Sequence, residues 1–175
     1  MAGYLFAKKY IMLKEILQES IIKELMLIKR LSMKVPADSL DFRPKENVRS
    51  MIELLQYVSA AGTGMLLFWQ SKETEARPFL QKLRENALVL TLENASELFD
   101  KQIELVKEIF TNISEEDLVT KVVSYPWGAT DPLGKAIIET SIKWLTGYKM
   151  QLFLYIKQNS DEALSTPDLW RKTED

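Results

Sequence analysis

The stretch LENASELFDKQIELVKEIFTNI, residues 92–113, carries the clearest secondary-structure signal in this chain. Its apolar residues recur every three or four positions, which is the spacing of one face of an α-helix. That apolar set consists of Leu92, Ala95, Phe99, Ile103, Val106, Phe110 and Ile113. The intervening positions are filled mainly by charged side chains, such as Glu97, Lys101 and Glu104. The segment therefore predicts an amphipathic helix with one buried stripe.

Three further segments show helical spacing. The first follows an apolar stripe made of Tyr10, Leu13, Leu17, Ile21, Leu25, Ile28 and Leu31. Residues 48–70 are apolar over more than half of the helical wheel, which predicts a deeply buried helix with Asn47 as its N-cap. The last helix runs from Asp131 to about Gln158, with Asp131 as N-cap and Pro132 at the first helical position.

The segments between these helices give weaker signals. Residues 71–90 contain Pro78 and little periodicity, so they predict a connection with at most a short helix around Phe79 to Arg84. Residues 114–117, Ser-Glu-Glu-Asp, form a capping-box pattern that opens one short turn. Strand signals are confined to Val119–Tyr125, which is too short to organise a sheet. The pattern predicts an all-α, four-helix bundle with one long crossover connection, formed by residues 1–175 as a single domain.

Composition excludes several classes of partner. The chain has 175 residues, 46% hydrophobic and 27% charged, which is typical of one globular domain. Its 23 basic and 25 acidic residues are spread along the sequence, so no basic stripe is available to bind nucleic acid. Residues 1–10 lack the apolar block of a signal peptide, and no window approaches the ~20 apolar residues of a membrane span. We therefore expect a cytoplasmic protein without a membrane partner, and the apolar first and second helices leave room for a homodimer face.

The residue inventory limits the possible chemistry. The chain contains no His and no Cys, which removes the usual zinc, copper and thiolate sites and the Ser-His and Cys-His nucleophiles. An oxygen-only Mg²⁺ site stays open, although no acidic cluster is visible. Gly62-Thr63-Gly64 lies within an apolar helix and lacks the context of a phosphate-binding loop, so these glycines are interpreted as packing residues. We expect no cofactor and no metal.

The last helix carries an unusual stripe of aromatic and polar residues. Ile137, Trp144, Tyr148, Gln151 and Tyr155 project within about 60° of one another on the helical wheel. Such a stripe is either packing, with its polar tips bonded to the backbone or to one another, or the wall of a small ligand pocket. The sequence leaves both interpretations open.

Several landmarks in order along the chain resemble those of the DinB superfamily. They are Leu40-Asp41-Phe42-Arg43-Pro44, Met51-Ile52-Glu53-Leu54-Leu55-Gln56-Tyr57, Pro126-Trp127-Gly128, and Trp144-Leu145-Thr146-Gly147-Tyr148-Lys149-Met150-Gln151-Leu152 followed by Tyr155-Ile156. The resemblance implies a four-helix bundle in which one His near the second landmark and two His spaced by four on the last helix bind a divalent metal. It also implies activities that include metal-dependent thiol transfer to small electrophiles.

The three metal-ligand positions of the family fall on Tyr57, Trp144 and Tyr148. A Trp offers only an N–H donor, and a Tyr phenol with a pKa near 10 is a poor ligand for most divalent ions at neutral pH. The resemblance therefore implies a DinB-like bundle whose metal-binding histidines have been replaced. Gln151 and Leu152 keep the residues that follow the last ligand in the family.

Two classes of function follow from these residues. The first is a non-catalytic or small-ligand-binding bundle with an aromatic pocket built from Tyr57, Trp144 and Tyr148, with Gln151 and Glu53 nearby. The alternatives are a metal-independent enzyme using a Tyr hydroxyl and Glu53 as acid and base, or a degenerate relative of metal-dependent thiol transferases. A purely structural or interaction role is a further possibility. The first interpretation predicts that Tyr57 meets Trp144 and Tyr148 around one interior point, where their bulk leaves only a small, dry cavity.

Overall fold

The computed structural model describes residues 2–160 and 163–171, with side chains from residue 13 onward within those ranges. Tyr10, the first residue of the apolar stripe predicted for the first helix, lies outside the described side chains. The helices are α1 Ala2–Ser32, α2 Met51–Gln70, α3 Ala76–Ala87, α4 Leu92–Thr111, α5 Glu115–Thr120, α6 Leu133–Ile137, α7 Lys143–Asn159 and α8 Thr166–Trp170. A 3₁₀ turn spans Ala37–Ser39, a π-helical turn Ile138–Ile142 joins α6 to α7, and the strands are β1 Val122–Ser124 and β2 Thr130–Pro132.

The four long helices α1, α2, α4 and α7 form a bundle, as predicted. Helix α1 packs against α4 and α7, while α2 packs against α3, α4 and α7. The apolar stripes meet in the centre, where Leu25, Ile28, Phe99 and Phe110 are completely buried. Burial of these stripes supplies the main driving force for assembly. The all-α prediction is confirmed, and the capping box at Ser114 opens α5 as expected.

The second helix begins later than the sequence analysis predicted. Its N-cap is Ser50 and not Asn47. The Ser50 hydroxyl accepts a hydrogen bond from the Glu53 amide at 3.4 Å, and a Glu53 carboxylate oxygen accepts one from the Ser50 amide at 2.8 Å. This reciprocal pair provides acceptors for two backbone amides at the start of the helix. A single Asn47 side chain would leave at least one of these amides without an acceptor.

The segment predicted as a connection contains a full helix of 12 residues, α3. The short helix expected around Phe79 to Arg84 is only its middle part. Pro78 is compatible with it because proline is tolerated in the first turn of a helix. Its apolar residues Ala76, Phe79, Leu80, Leu83 and Ala87 recur at helical spacing, although Leu80 is the only one of them that is buried.

The last helix also begins later than predicted. Thr130–Pro132 forms β2, which pairs antiparallel with β1 so that Val123 lies opposite Asp131. Asp131 is therefore not an N-cap: its carboxylate accepts a hydrogen bond from the Tyr125 hydroxyl at 2.9 Å and pairs with Lys135 at 2.7 Å. The helix starts at Leu133, with Pro132 as the residue before it. The expected strand Val119–Tyr125 is shortened because Val119 belongs to α5.

A charged pair is buried between α1 and α7. The Lys149 side chain is 0% exposed, and its Nζ lies 2.9 Å from an Oε2 of Glu24. The ring of Trp170 on α8 lies 4.2 Å from the same amine, which is a cation–π distance. Helix α8 thus covers a lysine whose charge is balanced by one carboxylate and one aromatic face.

Helix α8 is held in place by Arg30 at the end of α1. Its guanidinium donates hydrogen bonds to the carbonyl oxygens of Pro167, Asp168 and Arg171 at 2.9 to 3.0 Å. These include carbonyls that the short helix cannot satisfy internally, so Arg30 acts as its C-terminal partner. The buried Leu164 and Leu169 add apolar contacts to the core.

Within the described part of the chain, one helix is long and apolar enough to cross a membrane by length and composition, namely α2. The bundle buries 67% of the relevant window. The core helix of a water-soluble bundle passes the same test, so this feature is weak support for a membrane span.

Candidate functional site

The structure brings Tyr57 on α2 together with Tyr148 on α7. Their ring centroids lie 4.9 Å apart at an interplanar angle of 72°, which is an edge-to-face contact. Trp144 lies one helical turn before Tyr148 and lines a notch together with Tyr57. The convergence of these three side chains is therefore as predicted from the wheel and the resemblance. Their role in ligand binding stays a prediction.

The notch between these rings is almost filled. It is lined by Tyr57, Ala60, Ala61, Leu80, Leu83, Arg84 and Trp144, and its volume is about 10 Å³. That is at the lower limit of the space needed for one water molecule. A ligand could therefore bind only on the outer face of the ring cluster or after a rearrangement of the rings.

Gln151 is placed on the same side of α7 but its amide is used for packing. Its Nε2 donates a hydrogen bond to the Tyr155 hydroxyl at 2.6 Å, and that hydroxyl donates to the carbonyl oxygen of Arg49 at 3.2 Å. The chain of bonds ties α7 to Arg49, the residue before the N-cap of α2. The polar tips of Gln151 and Tyr155 in the predicted stripe are thus satisfied within the protein.

Glu53 does not join the aromatic cluster, although it lies one turn before Tyr57. One carboxylate oxygen accepts from the Ser50 amide, and the other pairs with Arg43 at 3.2 Å. The bond from the Ser50 backbone, followed by the contact with Arg43, lowers the pKa of Glu53. Its carboxylate therefore stays ionised and serves the start of α2.

Two arginines that the sequence analysis did not select pack against Tyr57. The guanidinium carbon of Arg49 lies 3.8 Å from the ring centroid, and that of Arg84 lies 5.3 Å from it. Arg49 also lies 6.0 Å from the Tyr148 ring. Among the described residues, neither guanidinium makes an ion pair or a side-chain hydrogen bond, although the charge of Arg49 acts on the Glu53 carboxylate at longer range and lowers its pKa. No local sequence pattern marks them, because Arg49 precedes α2 and Arg84 lies on α3, where the sequence predicts a connection with at most a short helix.

The environment of Tyr57 keeps its phenol protonated. Burial raises the pKa of Tyr57, and the neighbouring Tyr148 phenol raises it further, while Arg84 and Arg49 act in the opposite direction. Burial dominates because removing a phenolate from water is costly. At neutral pH this hydroxyl is a hydrogen-bond donor and not a base.

The aromatic surface continues onto the hairpin before α6. Tyr125 and Trp127 stack at 4.6 Å with an interplanar angle of 7°, and Trp127 lies 6.5 Å from Trp144. Gly128 makes this turn possible with a φ of +91°, a conformation that disfavours side chains. Burial and the hydrogen bond to Asp131 raise the pKa of Tyr125 to about 12. Trp127 is 57% exposed, so the outer end of the surface is open to solvent.

The side chains of Tyr57, Trp144 and Tyr148 do not fit a divalent metal. Trp144 has no acceptor, and the Tyr57 phenol is protonated at neutral pH. The notch also lacks the volume for an ion with a bound water. Over the described ranges, the side chains of His, Cys, Asp and Glu form no group of three or more that could hold a metal.

Comparisons with known proteins bear on the fold. The sequence matches no family model and no curated protein. Among solved structures it is similar to the crystal structure of a DinB-like protein, YjoA, from Bacillus subtilis, with a TM-score of 0.63 and 16% sequence identity. The match covers 89% of this chain and 99% of the other. At that identity the likeness concerns the fold alone, and this chain therefore has a DinB-like all-α fold.

Proposed function

We propose that this chain is a non-catalytic, small-ligand-binding bundle whose site is the aromatic face formed by Tyr57, Trp144 and Tyr148. The observation that carries the proposal is the position of Arg49 and Arg84 against the Tyr57 ring, with no carboxylate of a described residue within ion-pair distance of either guanidinium. A guanidinium stacked on a ring keeps its N–H edge free for an anion. Two guanidinium groups with free N–H edges can bind a carboxylate, and the exposed indole surface beside them can bind a planar ring. The site therefore favours a planar molecule that carries a carboxylate.

The filled notch places this ligand on the outer surface of the rings. Its flat body would contact Trp144 and the exposed Trp127, which lie 6.5 Å apart. Its carboxylate would pair with Arg84 or Arg49. Aromatic rings contribute large contact areas at low entropy cost, which suits a shallow site of this kind.

Binding is favoured over catalysis because the site lacks a general base. A base that works near pH 7 needs a pKa near that value, whereas burial moves the pKa of Tyr57 upward. The carboxylate of Glu53, the proposed acid or base of the enzyme alternative, is engaged at the start of α2. The other alternative, a degenerate relative of the metal-dependent thiol transferases, rests on the family resemblance alone.

The proposal is tested by titrating the protein with planar carboxylates such as benzoate and indole-3-acetate, and with their neutral amides. Two-dimensional NMR should show saturable shifts of the Trp127 and Trp144 indole signals with the carboxylates and much smaller shifts with the amides. The double change Arg49→Gln and Arg84→Gln should abolish the difference. Arg77→Gln, an exposed position on the same helix as Arg84, is the matched control and should leave binding unchanged.

Two results would overturn the proposal. One is that no carboxylate moves the indole signals. The other is that the double arginine variant binds as tightly as the unmodified protein. Turnover of a substrate that Tyr148→Phe abolishes would favour the enzyme alternative.

A further inference from the structure

A larger space lies on the other side of the Tyr57 notch, between α2, α3 and α4. Its volume is about 180 Å³. It is lined by Ser59, Ala60, Thr63, Leu67, Leu83, Asn86, Ala87, Val89, Leu98, Gln102 and Leu105. We call it the α2–α4 cleft. Ala60 and Leu83 line both the cleft and the notch, so one layer of side chains separates the two.

The sequence of α2 explains why the cleft exists. Ser59, Ala60 and Thr63 stand within one turn of one another, and their side chains are too small to fill the gap to α4. The facing positions on α4 carry Leu98 and Leu105, which form apolar walls. Small residues opposite large ones leave a space that close packing would otherwise remove.

The floor of the cleft is polar and already organised. Thr63 is 2% exposed, and its hydroxyl donates a hydrogen bond to Oε1 of Gln102 at 2.6 Å. Nε2 of Gln102 makes no hydrogen bond to any described residue, and it is not one of the buried atoms without a partner. The amide N–H groups are therefore accessible donors beside a fixed oxygen.

The lining carries no charged side chain. An ion moved from water into such a cleft would lose hydration without gaining a counter-charge. Asn86 and the 64% exposed Val89 belong to this uncharged lining. The chemistry of the lining therefore selects neutral molecules, in contrast to the arginine face around Tyr57.

We propose that the α2–α4 cleft binds an uncharged molecule of about one ring, with an acceptor oxygen placed against the Gln102 amide. An apolar cavity of about 150 Å³ is large enough for benzene, so the cleft has room for a ring of this size and a carbonyl group. The apolar walls hold the ring, and the Gln102 donor sets its orientation. This site is independent of the anion site proposed above, because it uses different side chains and the opposite preference in charge.

The probes for this proposal are cyclohexanone and cyclohexane, which share a ring and differ in one acceptor oxygen. Methyl signals of Leu67, Leu98 and Leu105 should shift saturably with cyclohexanone, and cyclohexane should bind about five-fold more weakly because it forms no hydrogen bond. Gln102→Leu should bring the two affinities together. If Gln102→Leu loses helicity, Gln102→Glu takes its place, since it keeps the oxygen that accepts from Thr63 and removes the donor.

A second variant tests the cleft itself. Ala87→Leu at the half-buried rim should fill the cleft and weaken both probes at least ten-fold, while Arg49→Gln with Arg84→Gln should change neither. The proposal is overturned if the three leucine methyl groups show no saturable shift. It is equally overturned if cyclohexanone keeps its advantage after the Gln102 change.

Discussion

Lys149 and Glu24 meet at 2.9 Å in a place where the lysine side chain has no contact with water. Burial lowers the pKa of Lys149, and the Glu24 carboxylate opposes that shift. The pair is held between α1 and α7 under Trp170, so its contribution to stability depends on how well each charge compensates the other.

Removing one partner should cost far more than removing both. Lys149→Met leaves the Glu24 carboxylate without its cation, and we expect a loss of roughly 3–5 kcal/mol in the free energy of unfolding. The double change Lys149→Met with Glu24→Leu replaces the pair by apolar volume and should be near neutral or stabilising. Urea denaturation of the unmodified protein, of Lys149→Met, of Glu24→Leu and of the double variant gives the coupling energy directly. Additive single effects would mean that the two charges do not stabilise each other.

Two helical glycines should respond to alanine in opposite directions. A Cβ at Gly134 would lie 2.8 Å from the carbonyl oxygen of Leu118, so Gly134→Ala forces α6 away from α5. We expect a loss of roughly 1–3 kcal/mol, the usual cost of overpacking. Gly147 has nothing within 4 Å of that position, and Gly147→Ala should stabilise α7 by about 0.5–1 kcal/mol. Equal effects in denaturant titrations would contradict this difference.

The helical stripe of residues 92–113 predicted α4 correctly because its buried and exposed positions alternate at the helical period. Helix α3 carries a comparable stripe in Ala76, Phe79, Leu80, Leu83 and Ala87, but it spans only 12 residues, and the segment was therefore predicted as a connection. Pro78 strengthened the error, although a proline in the first turn does not stop a helix. The short length of α3 and its proline, and not a missing apolar stripe, explain why it was not predicted as a full helix.

The candidate site was only partly accessible to sequence reasoning. Helical spacing placed Trp144 and Tyr148 on one face, and the family resemblance supplied Tyr57. Arg49 and Arg84 were missed because their contact with Tyr57 depends on the packing of separate elements. Glu53 was assigned to the site although Ser50-Met51-Ile52-Glu53 is a capping-box pattern, which explains its position more simply.

The role of Glu53 at the start of α2 can be separated from a role in ligand binding. Ser50→Ala removes the side chain that accepts from the Glu53 amide and should cost about 1 kcal/mol. Glu53→Gln keeps the capping geometry and should change stability less. Neither change should alter the affinity for planar carboxylates. A large loss of affinity in Glu53→Gln, measured by the same NMR titration, would return Glu53 to the site.

The same carboxylate should contribute to stability in a way that depends on pH. The folded pKa of Glu53 lies below its usual value of 4.5, mainly because of the bond from the Ser50 backbone. The unfolded chain therefore binds a proton first as the pH falls, and the stabilisation is lost as pH drops from about 4.5 through the folded pKa. In Glu53→Gln that part of the acid dependence should be missing. A parallel acid dependence in both proteins would show that the bond contributes nothing.

The last prediction concerns the phenol of Tyr57. Because burial and Tyr148 raise its pKa above the usual 10.0, the difference in tyrosinate absorbance between the unmodified protein and Tyr57→Phe should rise with a midpoint above pH 10. Arg84 favours the phenolate, so Arg84→Gln should move that midpoint further upward. The unfolded chain releases this proton at lower pH than the folded one, and the contribution of Tyr57 to stability should therefore fall as the pH rises above 10. A midpoint at or below 10 would mean that the ring is hydrated and that the contact with Tyr148 is open in solution.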